Sequence, residues 1–388
     1  MLRSFVLIWT LATVVPAAYA QQHATTWPGA SWPVSTPQAE GVNPDTLAAI
    51  HADLAAGAYG AVDHFLLIRH GRVIADHHYD RVYRLPPDAA DTTNHQYNYD
   101  HPDWHPYLHG SELHTLQSVT KSVNATVLGI AIDEGLIPGV DTPAMTYFAA
   151  YDPDLSDPRK ASMTIEDLLT MRSGIDWYTQ GGYANPEHST IVMELSDAWI
   201  EYIVGRPMDA DPGAAFEYND GASVLLGKIV TEATGMRADT YAAERLFKPI
   251  GITDYYWKIT PDGEADTEGG LYLKTHDLAR IGYLYLHGGV WNGRQVVSRD
   301  WVERSTSPVV ADIAPGNDRV NLGYGYQWWV PDQEYGQTKV FAGNGFGGQF
   351  VLVAPEYDIV AVFNGWDPFG DKSTWRVLQE RILPATTR

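Results

Sequence analysis

Apolar residues recur along this chain with two periods, and the places where the period changes outline a fold. Asn43-Pro44-Asp45 supplies a cap, a first-turn proline and an acid, and Leu47, Ile50 and Leu54 follow at helical spacing. Residues 64–70 and 73–79 are rich in branched and aromatic side chains and flank Gly71-Arg72, which predicts a hairpin of two sheet strands. From about 118 to 286 the period is helical. Val123, Val127, Ile130 and Ala131, widened by Leu128 and Ile132, predict a largely buried helix that begins at Ser118 and stops at Gly135. Thr164-Ile165-Glu166-Asp167 opens another helix with a capping box, closed by Ser173-Gly174. A third runs over 220–234 before Gly235, and 277–286 is amphipathic. Strands return at 338–342, 349–354 and 358–364, followed by a helix over about 372–383.

Strands at both ends around a helical middle predict an α/β (α+β) architecture, with one antiparallel sheet built from the two termini and an inserted helical lobe. The expected sheet lobe covers about 36–110 and 318–388, the helical lobe about 111–317, and residues 21–388 form one domain. No internal repeat or low-complexity linker interrupts it. Residues from about 85 to 110 are polar, aromatic and rich in His, Pro and Asp, and read as a long loop.

The first twenty residues change the picture. Arg3, an apolar run over 5–15 and Ala18-Tyr19-Ala20 read as a secretion signal cleaved near Ala20. The run is shorter than the roughly 18 residues a membrane span needs. The expectation is a periplasmic or secreted protein without a membrane anchor. Without Arg3 the 26 basic residues become 25 against 48 acidic ones, a charge of −23, which disfavours nucleic acid and anionic membranes as partners. The chain has no cysteine, which excludes disulfides, thiol nucleophiles and cysteine metal sites.

Ser118-Val119-Thr120-Lys121 is the only Ser-x-x-Lys in the chain, at the start of the predicted buried helix. Positions i and i+3 share a helix face, so the amine can meet the hydroxyl, and a lysine moved out of water can accept its proton. On the tetrapeptide alone, chance on a surface helix is an equal reading. A second candidate is Tyr218-Asn219-Asp220, directly before a helix. Tyr218 could relay a proton if a nearby cation favours its phenolate, or it could be packing; Asp220 could be a helix N-cap. The third is Gly343-Asn344-Gly345-Phe346-Gly347-Gly348-Gln349 between two strands. It matches Gly-x-Gly-x-x-Gly, but no helix follows to receive a pyrophosphate. Glycines at a strand edge would suit half of an oxyanion hole, or a plain turn.

Together these motifs resemble the serine β-lactamase-like, penicillin-recognising superfamily, in its class C-like branch, which also holds esterases, D-amino-acid peptidases and 6-aminohexanoate-oligomer hydrolases. Gln117–Ser122, Leu168–Gly174, Pro249–Ile252, Asp277–Arg280 and Gly345–Gln349 are similar to phrases of the 6-aminohexanoate-hydrolase group. The resemblance implies a serine hydrolase acting through a Ser118 acyl-enzyme, with Lys121 and Tyr218 sharing proton transfers. It also implies an oxyanion hole from the N–H groups of Ser118 and Phe346, with no metal or cofactor. Asp220, Asn344 and Gly345 are expected beside the substrate, as are Trp177, Tyr178 and Tyr183 in a Gly-rich loop, where plain loop packing is an equal reading.

Two positions depart from the family pattern. Asp220 stands where Asn is usual, and a carboxylate facing Lys121 would keep it protonated and shift the base role to Tyr218. Gly343 stands where Lys or His is usual, which argues against substrates that present a carboxylate there. The expected substrate is a small ester or amide, handled by a monomer or homodimer. Alternatives are a β-lactamase, a D-amino-acid peptidase, or a receptor-like relative that has lost turnover. His95, His101, His105, His109 and His114 crowd the loop and the residues before Ser118. They include no His-x-x-x-His pair on a predicted helix, and a solvated loop is the preferred reading over metal binding.

Overall fold

The computed structural model describes residues 25–81, 111–315, 322–331, 338–367 and 374–387. The predicted signal segment, the loop over 85–110 and its His95, His101, His105 and His109 lie outside the described residues. Helix α1 (Pro44–Ala55) starts where the sequence predicts, with Asn43 Oδ1 accepting from the N–H groups of Asp45 and Thr46. Strands β1 (Val62–Arg69) and β2 (Arg72–His78) follow. Their turn is His70-Gly71, one residue earlier than predicted, and both residues have positive φ, as a two-residue hairpin turn of matching twist requires.

The middle of the chain holds β3 (His114–Thr115), α2 (Val119–Asp133), α3 (Ile165–Leu169), α4 (Ser189–Glu194), α5 (Asp220–Thr234), β4 (Tyr255–Trp257), β5 (Leu271–Leu273) and α6 (Thr275–Leu286). A short hairpin, β6 (Val290–Trp291) and β7 (Arg294–Gln295), comes next. The C-terminal strands are β8 (Leu322–Tyr324), β9 (Trp329–Pro331), β10 (Phe341–Gly345), β11 (Gln349–Ala354) and β12 (Ile359–Gly365). The main sheet runs β2-β1-β12-β11-β10-β9-β8, and every pairing in it is antiparallel. It is therefore an α/β fold with one antiparallel sheet drawn from both ends of the chain.

The sheet is covered on both faces. Phe65 and Leu67 of β1 join Leu47, Ile50, Leu54 and Leu378 on one side. Leu66 and Ile68 join Val119, Leu278 and Ile281 on the other. This explains why β1, β11 and β12 are buried along their whole length rather than alternating. Helix α2 is enclosed all round, with every residue from Val119 to Ala131 buried. The middle is not wholly helical, as the sequence period suggested: β3, β5 and β4 form a small sheet there. Among the described residues no helix is long and apolar enough to cross a membrane.

Candidate active site

Ser118 sits at the leading end of α2, and the chain enters it through a strained residue. Gln117 has φ of 48°, in the left-handed region, and its side-chain amide donates to Thr115 Oγ1 at 3.1 Å. Ser118 itself keeps right-handed helical angles and remains half-exposed. One turn on, Lys121 is buried, and its Nζ lies 3.0 Å from Ser118 Oγ. The predicted i, i+3 contact is formed.

Lys121 faces two carboxylates. Its Nζ is 2.8 Å from Asp220 Oδ1 and 3.4 Å from Glu268 Oε2, and it donates to the Glu268 carbonyl at 2.6 Å. Burial alone would lower the Lys121 pKa, but the charges of Asp220, Tyr218 and Glu268 outweigh it and hold the ammonium well above its usual range. Asp220 moves the other way: burial raises it, but Lys121 and hydrogen bonds from Thr190 (2.6 Å) and Tyr183 (3.1 Å) keep it ionised. Burial pushes Glu268 up to about 7 against the pull of Lys121. Behind it, the buried Glu194 carboxyl is held well above its usual range by desolvation and by Glu268. The N-cap reading of Asp220 is corrected here. Asn219 is the N-cap of α5, its Oδ1 accepting from Ala222 N–H at 3.0 Å, which frees Asp220 to turn inward.

The Tyr218 ring lies beside the Ser118–Lys121 pair, with the Lys121 ammonium 5.2 Å from its centre. Burial raises the Tyr218 pKa and the ammonium opposes the rise, leaving it above its ordinary value. The ring stacks on Trp329 at 5.8 Å and 16°. Trp329 belongs to one of two short strands that carried no clear period in the sequence, so nothing there pointed to it.

The opposite wall is backbone. Gly343, Asn344 and Gly345 are residues of β10, not of the turn between strands; Phe346, Gly347 and Gly348 make that turn. A Cβ on Gly345 would meet the Leu116 carbonyl at 2.2 Å, so only glycine lets the strand close on the residues ahead of Ser118. A Cβ on Gly343 would meet Val119 Cγ1 at 2.9 Å, so α2 occupies the place of the usual cationic side chain. Phe346, 38 % exposed, packs edge-on against Tyr183 at 5.8 Å and Trp366 at 6.0 Å. Asn344 is half-buried and pairs with Phe350 across the strands.

Of the three aromatic loop candidates, Tyr183 joins the site through Asp220 and Phe346. Trp177 does not: it is fully buried against Gly221 of α5 and edge-on to Tyr202, a core residue rather than a cleft one. Tyr178 is exposed, and no contact with Ser118, Lys121 or Tyr218 is found for it among the described residues. Glu268, Thr190 and Gln327 were missed. Glu268 precedes Gly269-Gly270 and reads as a turn; Gln327 accepts from Ser122 and Ser223 and donates to the Leu168 and Leu169 carbonyls, tying α2, α5 and α3 together beneath the site.

The family model described as Beta-lactamase matches residues 45–381. The chain is 30% identical over 292 residues to a 6-aminohexanoate-dimer hydrolase from Paenarthrobacter ureafaciens, covering 71% of each protein. Among solved structures, EstCE1, a hydrolase with promiscuous acyltransferase activity, superposes with a TM-score of 0.65 at 16% identity, covering 87% of this chain and 98% of that one. A family VIII carboxylesterase does so with a TM-score of 0.62 at 17% identity, covering 91% and 98%. These two share the fold. A family match along most of the chain, a relative of that identity and extent, and a Ser-x-x-Lys at the mouth of a buried helix agree: the chain belongs to the beta-lactamase family and is a serine hydrolase.

Proposed function

We propose that this hydrolase cleaves a small ester or amide through an acyl-enzyme on Ser118. The observation that carries the reading is the 3.0 Å approach of buried Lys121 to half-exposed Ser118, with Asp220 2.8 Å behind the amine. Ser118 Oγ attacks the carbonyl and a C–O bond forms. Its proton passes to the Tyr218 oxygen in the fraction of molecules in which Tyr218 is ionised, because the Lys121 ammonium has no lone pair to offer and Tyr218, held above its ordinary value, is a phenol at neutral pH. The ammonium stabilises the phenolate that accepts it. The leaving alcohol or amine departs with that proton as its bond to the carbonyl breaks. Water then attacks the acyl-enzyme ester, and Tyr218 takes its proton and returns it to Ser118 Oγ as the bond to the acyl group breaks and the acid leaves. The N–H groups of Ser118 and Phe346 bind the oxyanion, and the helix N-terminus under Ser118 adds positive potential.

The substrate is one without a carboxylate beside the scissile bond, because Gly343 offers no cation. Charge-assisted contacts are worth about 1.5–3 kcal/mol, or one to two orders of magnitude in binding. The test is a panel of short-chain chromogenic esters, linear amides and a chromogenic cephalosporin, with fluorophosphonate labelling of Ser118. Esters cleaved ten- to a hundredfold faster than the cephalosporin, with one label per chain at Ser118, support the reading. Efficient cephalosporin turnover, or no label, overturns it. We also propose export with cleavage near Ala20, which the intact mass of the protein recovered outside the cytoplasm tests.

A further inference from the structure

A second polar cluster stands at the edge of the sheet, on the face turned to α6. His64 of β1 lies directly opposite His78 of β2, and Asp76 is two residues before His78. Cross-strand partners and i, i+2 neighbours share a face, so the register alone projects all three side chains to one side. His64 Nε2 is 2.8 Å from Asp76 Oδ1, and His78 Nε2 is 4.0 Å from the same oxygen. The two imidazoles lie against each other, tilted by 37°, with ring centres 3.7 Å apart. In the first turn of α6, His276 Nε2 reaches the other carboxylate oxygen, Oδ2, at 3.0 Å. Hydrogen bonding to Asp76 accounts for His64 and His276. It does not account for His78, which stands beyond hydrogen-bonding distance of the carboxylate yet turns its ring into the group.

We propose that His64, Asp76 and His78 form a binding site for a divalent transition metal of the zinc class, with His276 as the positioning group that holds the second carboxylate oxygen. The three donor atoms lie within 4.8 Å of one another. A tetrahedral zinc with bonds of about 2.0–2.1 Å wants its donors roughly 3.3–3.5 Å apart. The observed 2.8 and 4.0 Å separations straddle that value, so small rotations of two side chains close the site. Two imidazoles and one carboxylate suit zinc, and calcium or magnesium would want oxygens. His64 is buried and fixed in a central strand, whereas Asp76 and His78 are open to solvent and give the ion its entry. Three protein ligands leave a fourth position for water. A bound ion would fasten the edge strand β2 to β1 and, through His276, to the start of α6.

The test is titration of the purified, chelator-treated full chain with zinc chloride by calorimetry, and with cobalt chloride by visible absorption. The expected result is one equivalent of zinc at micromolar or tighter Kd and an intense tetrahedral cobalt spectrum. Zinc should raise the Tm by a few degrees. His78→Ala and Asp76→Asn should each weaken zinc binding at least tenfold and abolish the Tm rise, and His276→Gln should weaken it by about tenfold. Ester hydrolysis by His78→Ala should stay at the wild-type level, because that side chain is exposed and separate from Ser118, and this shows that the variant is folded. Absence of zinc binding overturns the proposal. So does binding of unchanged affinity in His78→Ala and Asp76→Asn, which would place the ion elsewhere on the chain.

Discussion

The two walls that meet at Ser118 are made of different materials. On the helical side stand ionisable groups: the buried Lys121, Asp220 and Glu268 and the half-buried Tyr218, with buried Glu194 behind them. On the sheet side stands the β10 backbone, Gly343 to Gly345, and a turn whose one large side chain is the apolar Phe346. A buried charge network costs desolvation and holds only if each charge is answered, so its geometry and its protonation are coupled. A glycine edge carries no charge and works by close approach. The helical wall therefore sets how protons move, and the sheet wall sets which substrates fit. Damage to the first should change pH behaviour, and damage to the second should change rate and stability without moving the pH profile.

The largest effects should come from the helical wall. Ser118→Ala should abolish turnover and fluorophosphonate labelling while leaving the Tm nearly unchanged, because a half-exposed hydroxyl carries little packing. Lys121→Ala should cost about a thousandfold or more in kcat, since groups that act as a unit fail together. It also leaves Asp220 and Glu268 buried without their cation, so its Tm should fall where that of Ser118→Ala does not. A modest kcat loss in Lys121→Ala would mean that Tyr218 works without the ammonium, and the division between the walls would weaken.

Gly345→Ala probes the other wall. Its new Cβ would sit 2.2 Å from the Leu116 carbonyl, a backbone atom that cannot swing away. The strand must retreat from the residues leading into Ser118. We expect roughly a tenfold or larger loss in kcat and a destabilisation of about 1–3 kcal/mol, with an unshifted pH–rate profile. A shifted profile would show that the sheet wall also tunes protonation.

How much of this was legible follows the same division. The buried α2, the capping box at Thr164 and the helix ending at Gly235 were read correctly, because period and cap chemistry are local. Ser118 and Lys121 were found because i, i+3 spacing on a helix is itself geometry. Glu268 was not, because it reaches Lys121 across 147 positions from a turn with no period. Trp177 was left open between cleft and packing, because a tryptophan in a glycine-rich loop looks the same whether it faces solvent or plugs the core, and it is buried. The Asn219/Asp220 choice turned on one residue of register, and either side chain is a good cap.

Asp220→Asn is the milder test of the helical wall. The amide can keep contacts with Thr190 and Tyr183 but removes the charge that raises both Lys121 and Tyr218. Whichever of the two accepts the proton, it then loses its own proton more easily. The rising limb of the pH–rate profile should move to lower pH, by roughly one unit or more. Profiles of both proteins over pH 5–10 decide it, and an unmoved limb would reduce the Asp220–Lys121 pair to a structural role.

The smallest expected effect belongs to Glu268, and it is the sharpest on sign. Burial lifts its pKa to about 7, so its carboxyl binds a proton more tightly in the folded chain than in the unfolded one. The stability this contributes is fully present below the ordinary carboxylate range near 4.5 and is lost as pH rises through about 7. The same ionisation adds a negative charge 3.4 Å from the Lys121 amine, strengthening its hold on the proton just where Tyr218 needs the ammonium to steady its phenolate. Wild-type kcat should therefore show a shallow inflection near neutral pH, above which the ammonium is better held. Glu268→Gln keeps the shape and the amide oxygen but cannot ionise. Its kcat should fall by no more than about tenfold, its profile should lose the neutral inflection while keeping the alkaline limb, and its Tm should no longer decline between pH 5 and 7 as the wild type's does. If the inflection survives in Glu268→Gln, the neutral ionisation belongs to another group, and the helical wall's proton chemistry ends at Asp220.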